Sequence, residues 1–227
     1  MAPDDGARSR GFEVVISLLY IVMNEERYLE RSMNSVKGIA DEIVVVDGGS
    51  IDSTASIAYR LGAQVYLFPW CDDFSKSRNF GISKCTQPWI LTLDADEHLE
   101  KEKPELFPKA VDQGERNGIV AYQMPRKNHY PLHESDSPYF GPPFYPDLQT
   151  RFFRNIKEIH YSGAVHEGVV PTIELSGIGG IGRLPVCIHH HMFRGDKQAN
   201  ERDKSLYYEI IMEKANGCTQ KMHHLSE

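Results

Sequence analysis

The stretch Trp89-Ile90-Leu91-Thr92-Leu93-Asp94-Ala95-Asp96-Glu97 constrains the chain most, because a short apolar run passes directly into a cluster of carboxylates. Such a run reads as a central strand of an α/β sheet, and the carboxyl ends of those strands are where the folds place their ligands. Asp94 and Asp96 are two residues apart. If the extended backbone persists past Leu93, both side chains leave the same face and can converge on one divalent cation or one polyol. The competing reading is that these acids only cap the next turn.

The preceding residues repeat the pattern. Val14 to Val22 is almost continuously apolar, and Glu42-Ile43-Val44-Val45-Val46-Asp47 is a second buried strand ending on an acid. Asn24 is expected to cap a helix whose buried stripe is Tyr28, Leu29, Met33 and Val36, and Ser50 or Asp52 to cap one running to about Leu61. Ala63 to Phe68 makes a third strand. Strand and helix alternating at this spacing predict a mainly parallel sheet with right-handed crossovers. This nucleotide-binding style of half-domain lacks both the Gly-x-Gly-x-x-Gly fingerprint and a phosphate-loop motif, so a metal is the obvious means of holding phosphate. Asp72 or Asp73 is expected to cap the next helix, which carries Phe74, Asn79 and Ile82 on one face. Arg78 on that helix either pairs with Asp47 or Asp94 or grips a diphosphate.

Beyond the acidic strand, Pro104 to Gln113 reads as a helix and Gly118 to Met124 as a strand. Arg126 to Asp147 is rich in Pro, Tyr, Phe and His, and suits an acceptor-side lid whose aromatics stack on sugar rings. Leu148 to Arg154 resumes as a strand. His166 and Glu167 then stand side by side among glycines, either as a hydrogen-bonded pair or as a site for a general base. Ser176 to Gly182 reads as a glycine-rich turn before Leu184 to Met192, which holds His189-His190-His191. In a strand His189 and His191 share a face, so one of them, with His189 taken first, could be a neutral imidazole ligand for a metal held by Asp96. The segment from Asp196 to Ala215 is expected to be a helix with an apolar stripe and a basic edge, packed on the domain or docked on a membrane surface.

A chain of 227 residues with formal net charge -7 fits one large domain and argues against a general nucleic-acid surface, which needs clustered Lys and Arg. Cys71, Cys85, Cys187 and Cys218 form no Cys-x-x-Cys pair, so reduced thiols are expected and a structural zinc is not. Val14 to Met23 is too short for a bilayer span, and Met1 to Arg10 is unlike a signal peptide. The expectation is a cytoplasmic protein, with the last helix as a means of peripheral contact with the inner face of the membrane.

Taken in order, these motifs resemble the family 2 glycosyltransferases of GT-A fold, in particular the bacterial subgroup related to lipopolysaccharide-core glucosyltransferases. The resemblance rests on Met23-Asn24-Glu25-Glu26, on Glu42 to Thr54, on Trp70-Cys71-Asp72-Asp73-Phe74-Ser75 leading to Arg78-Asn79, on Leu93-Asp94-Ala95-Asp96-Glu97, on Arg151-Phe152-Phe153-Arg154 and on Val165-His166-Glu167. It implies a flexible tail over 1–12, a donor-binding part over 13–125, an acceptor-side part of the same domain over 126–195, and a C-terminal helix and tail over 196–227. It also implies that Met23 and Glu25 line the nucleobase pocket of a UDP-sugar and that Asp47 bonds the base or ribose. Arg78 would face the base or diphosphate, Asp94 would touch the ribose with Ala95 beside it, and Asp96 would bind Mn²⁺ or Mg²⁺.

Inverting transfer to a hydroxyl of a glycan or lipid-linked acceptor needs one base. That residue is expected to be Glu167, with Asp147 and Glu97 as fallbacks. His98 departs from the residue expected after the acidic motif. Two other readings compete: a sugar nucleotidyltransferase, which would show a Gly-rich loop after the first strand, and a non-catalytic subunit of the same fold that holds a partner.

Overall fold

The computed structural model describes residues 15–100, 104–129 and 146–191. Its centre is β1 (Ile16–Val22), buried along nearly its whole length because its side chains feed two cores at once. Leu18 and Tyr20 enter one core and Leu19 the other, as a strand's twofold alternation requires. β2 (Glu42–Asp47) and β4 (Trp89–Thr92) divide in the same way. Val45, Trp89 and Leu91 join the first core, and Val44, Val46 and Ile90 the second. Each such side chain contributes about 1.5–3 kcal/mol by leaving water, so these strands form a rigid floor.

The sheet order is β3-β2-β1-β4-β7-β6-β9-β5, with β8 beside β6. β3 is Gln64–Leu67, β5 Glu97–Leu99, β6 Ile119–His129, β7 Asp147–Arg154, β8 Gly180–Arg183 and β9 Ile188–His191. Five of its eight strand pairings are parallel, so the expected mainly parallel sheet is present. The antiparallel pairs all involve β5 or β7, in the half that follows the acidic motif. Helices α1 (Leu29–Ser35), α2 (Thr54–Arg60), α3 (Phe74–Ile82), α4 (Leu106–Asn117) and α5 (Val170–Ser176) fill the connections.

Several local expectations are corrected. Asn24 does not cap α1, which starts five residues later behind Tyr28. Asn24 instead adopts φ +58° and ties two loops together, its Oδ1 accepting from Ile51 N at 2.9 Å. Ser50 turns back onto Asp47, and Asp52 accepts from Thr54 N at 2.9 Å just ahead of α2, whose N-cap is Ser53. Asp73 does cap α3, accepting from Lys76 N. Leu29, Met33 and Val36 are buried as the stripe requires, with Tyr28 half-buried.

The glycine-rich stretch after Ser176 contains β8, which a turn reading missed. β6 runs past Met124 to His129, held by β7 on one side and β9 on the other. The rest of the expected lid, 130–145, and the expected last helix, 196–215, lie outside the described residues.

Candidate active site

Three groups of side chains meet at the carboxyl ends of the central strands. The first lies beyond β1 and β2, where Val22 and Asp47 are in register. Oδ1 of buried Asp47 accepts from Gly49 N at 3.2 Å, Ser50 N at 2.9 Å and Ser50 Oγ at 2.7 Å, which fixes the turn after β2. Met23 rises beside that turn, so close that a Cβ on Gly48 would stand 3.5 Å from its Sδ. Glu25 is buried next to it, its backbone N–H donating to Thr54 Oγ1 at 2.6 Å. The structure thus sets Met23 beside the turn that Asp47 fixes, and ties Glu25 to the start of α2.

The second group is a buried chain of charges. Arg78 on α3 donates through Nη2 to Asp94 Oδ1 at 2.8 Å and through Nε to Glu167 Oε1 at 2.6 Å. Arg151 on β7 donates to Asp94 Oδ2 at 2.7 Å and to Glu97 Oε1 at 2.9 Å. Of the two partners the sequence offered Arg78, the structure selects Asp94 over Asp47. Burial alone would raise the Asp94 carboxyl, but the guanidiniums of Arg151 and Arg78 outweigh it and hold Asp94 well below the usual carboxylate range. Both arginines are raised in turn: burial opposes their charge, and the facing acids more than compensate.

Glu167 is delivered by a loop pinned at Ser162 and Gly168, whose backbones exchange hydrogen bonds of 3.1 and 3.2 Å. Asn79 locks the start of that loop to α3, bonding both the N–H and the C=O of Tyr161. His166 sits at φ +55°, an uncommon backbone for a residue with a Cβ, which turns the chain just before Glu167. Glu167 is held there by Arg78.

The third group is Asp96 and His190. β4 ends at Thr92, and a turn at Ala95 and Asp96 leads into β5. The extended backbone therefore does not persist, and the two aspartates do not converge on one ion. Asp94 is neutralised by arginines, while Asp96 Oδ2 faces His190 Nε2 at 3.6 Å. His189, the imidazole favoured from sequence, is not the one beside Asp96, because neighbouring residues in β9 point to opposite faces. His190 donates from Nδ1 to Asn128 Oδ1 at 2.8 Å. A histidine held through Nδ1 in this way, with Nε2 facing a carboxylate, is the arrangement that a metal ligand needs. Two ligands of one octahedral ion stand about 3 Å apart, so the pair fits Mn²⁺ or Mg²⁺ with little adjustment. Among the described residues no group of three or more His, Cys, Asp or Glu is placed to hold an ion.

Arg151 and Asn128 were given no role from sequence, and Glu97 only that of a fallback base.

A family model described as "Glycosyl transferase family 2" matches residues 17–165, which hold all three groups except Glu167 and His190. The chain belongs to that family. It is 30% identical over 201 residues to the lipopolysaccharide core biosynthesis glycosyltransferase LpsC of Rhizobium meliloti, covering 83% of this chain and 68% of that one. An uncharacterised glycosyltransferase of Rickettsia conorii is 38% identical over 109 residues, covering 48% of this chain and 38% of its own.

The fold is similar to that of S. aureus TarS in complex with UDP-GlcNAc, with TM-score 0.57, 17% identity, and coverage of 80% of this chain and 60% of that one. It is also similar to M. tuberculosis glucosyl-3-phosphoglycerate synthase with Mn²⁺, UDP and product, with TM-score 0.56, 18% identity, and coverage of 88% and 79%. The family 2 chain thus has the GT-A architecture, and it spans well under half the length of the rickettsial relative.

Proposed function

We propose that the protein transfers a sugar from a UDP-sugar to a hydroxyl acceptor with inversion at the anomeric carbon, aided by Mn²⁺ or Mg²⁺. The observation that carries this reading is the Asp96–His190 pair, with His190 held by Asn128. The named contents of the TarS and mycobacterial structures, UDP-GlcNAc and Mn²⁺ with UDP, support it by fold.

In this reading Met23, Glu25 and Asp47 receive the nucleoside, and Asp94, whose side chain is 32% exposed, meets the ribose from its arginine clamp. Ala95 lies in the turn between Asp94 and Asp96. Arg78 serves as the brace between Asp94 and the base rather than as a direct grip on the diphosphate. Asp96 and His190 hold the cation, which when bound neutralises charge on the departing diphosphate. Arg78 fixes Glu167 Oε1, and Oε2 takes the acceptor hydroxyl proton as its oxygen bonds the anomeric carbon and the bond from that carbon to the diphosphate breaks.

Residues 13–125 supply the donor half and 126–195 the acceptor side. LpsC similarity favours an envelope glycan as acceptor and hence work at the cytoplasmic face of the membrane. Among the described residues no helix is long and apolar enough to cross it.

Incubation with a panel of UDP-sugars and Mn²⁺, following UDP release, tests the proposal. Turnover with at least one donor, lost in Asp96→Ala while the circular dichroism spectrum is kept, is the expected result. Failure of every nucleotide-sugar to bind by calorimetry would overturn it in favour of the non-catalytic partner-holding reading.

A further inference from the structure

The two carboxylates that the sequence offered as fallbacks for Glu167 share one partner. Arg126 on β6 donates through Nη1 to Glu97 Oε1 at 3.3 Å and through Nε to Asp147 Oδ2 at 2.8 Å. Each acid has both oxygens engaged. Glu97 Oε1 also accepts from Arg151 at 2.9 Å and its Oε2 from Asp94 N at 3.0 Å, while Asp147 Oδ1 accepts from Gln149 at 2.7 Å. Their work is therefore to hold, not to take a proton.

Glu97 closes the turn that carries Asp96. Its backbone N–H donates to Asp94 O at 2.9 Å while its carboxylate accepts from Asp94 N, so residues 94 and 97 grip each other from both ends. A turn closed by a side chain keeps its shape only while that side chain is itself fixed, and Arg151 and Arg126 fix it.

Arg126 does this on the face that holds His190. Glu97 and Asn128 are each in register with His190, and paired residues of neighbouring strands share a face. Arg126 lies two residues before Asn128 on β6 and shares that face as well. Because β9 lies between β6 and β5, its guanidinium reaches across β9, from the strand that orients His190 to the strand that follows Asp96.

We infer that Arg126 is a positioning residue for the donor site. Through Glu97 it fixes the turn bearing Asp94 and Asp96, and through Asp147 it ties that turn to the first residue of β7, on the acceptor side. A planar guanidinium bonds two carboxylates in fixed directions, which a lysine ammonium does not. The part of this inference that concerns cation binding rests on the donor-site reading; the part that concerns the turn does not.

The test uses the full chain with Arg126→Met, which leaves Glu97 to Arg151 and Asp147 to Gln149. Amide hydrogen exchange without ligand should quicken by at least about tenfold in peptides covering 94–99, the loss of one hydrogen bond to a charged group, while peptides covering β1 and β2 keep the parent's rates. Mn²⁺ affinity in the presence of UDP, read by electron paramagnetic resonance, should fall by at least about tenfold. Asp147→Asn should move both readings in the same direction by less, and it carries the test where Arg126→Met fails to fold. Parental exchange rates at 94–99, or exchange quickened evenly along the whole chain, would overturn the inference whatever the donor site binds. A loosened turn with unchanged Mn²⁺ affinity would overturn its part in the donor site. A parent chain that binds no Mn²⁺ with UDP would overturn the donor-site reading instead, and the exchange rates would then decide the role of Arg126.

Discussion

Replacing Arg151 with Met tests the buried charge chain that positions the site. Arg151 is 8% exposed and binds Asp94 at 2.7 Å and Glu97 at 2.9 Å, with Glu97 wholly buried. Removing one partner of such a group costs about 3–5 kcal/mol, because the remaining charge stays out of water. Asp94 keeps Arg78, and Glu97 keeps Arg126 at 3.3 Å, so the expected loss is at the low end, about 3 kcal/mol. For a chain of this size that lowers the Tm by roughly 6–12 °C.

Arg154 on the same strand is the control. It binds Glu115 at the same 2.7 Å, but the two side chains are 36% and 52% exposed, and such pairs contribute about 0–1 kcal/mol. Arg154→Met should therefore cost about 1 kcal/mol or less. Denaturant unfolding followed by circular dichroism reads both, and a cycle with Glu97→Gln should recover part of the Arg151→Met loss by removing the stranded charge.

The pH dependence has a definite sign. Asp94 titrates lower folded than unfolded, so its contribution is present at neutral pH and is lost as pH falls through the folded value. Arg151→Met weakens that depression and should move acid unfolding to higher pH. Equal destabilisation by Arg151→Met and Arg154→Met would refute the reasoning.

Other outcomes follow from the same geometry. His190→Ala should weaken Mn²⁺ binding in the presence of UDP, whereas His189→Ala should leave it unchanged; the reverse, by calorimetry, would restore the assignment made from sequence. Glu167→Gln should lower kcat by about 10²–10⁴-fold while leaving UDP affinity within twofold. Burial pushes the Cys85 thiol up to about 12, so iodoacetamide at pH 8 should label exposed Cys71 and spare Cys85 until the chain is unfolded, as peptide mass spectrometry would show.

The donor half was legible in the sequence because its strands are uninterrupted apolar runs that end on acids, and β2 falls on the expected residues from Glu42 to Asp47. Asp73 was legible as a cap for the same local reason. Asn24 was not, since its side chain serves a loop 27 residues away. The Asp94–Asp96 pair misled because two-residue spacing has meaning only while a strand lasts, and β4 stops at Thr92. His190 could not be separated from its neighbours until the register of β9 against β5 and β6 fixed which face each histidine takes. Arg151 required long-range pairing of β7 with β4, which no local pattern announces.

The central claim is that Asp96 and His190 together hold the cation beneath a nucleoside diphosphate. A crystal grown with UDP and Mn²⁺, with an anomalous difference map collected for manganese, tests it most directly. The expected peak lies between Asp96 Oδ2 and His190 Nε2, in contact with both phosphates of UDP. UDP bound beside Asp47 with no manganese at that pair, or with the metal held elsewhere, would contradict the account.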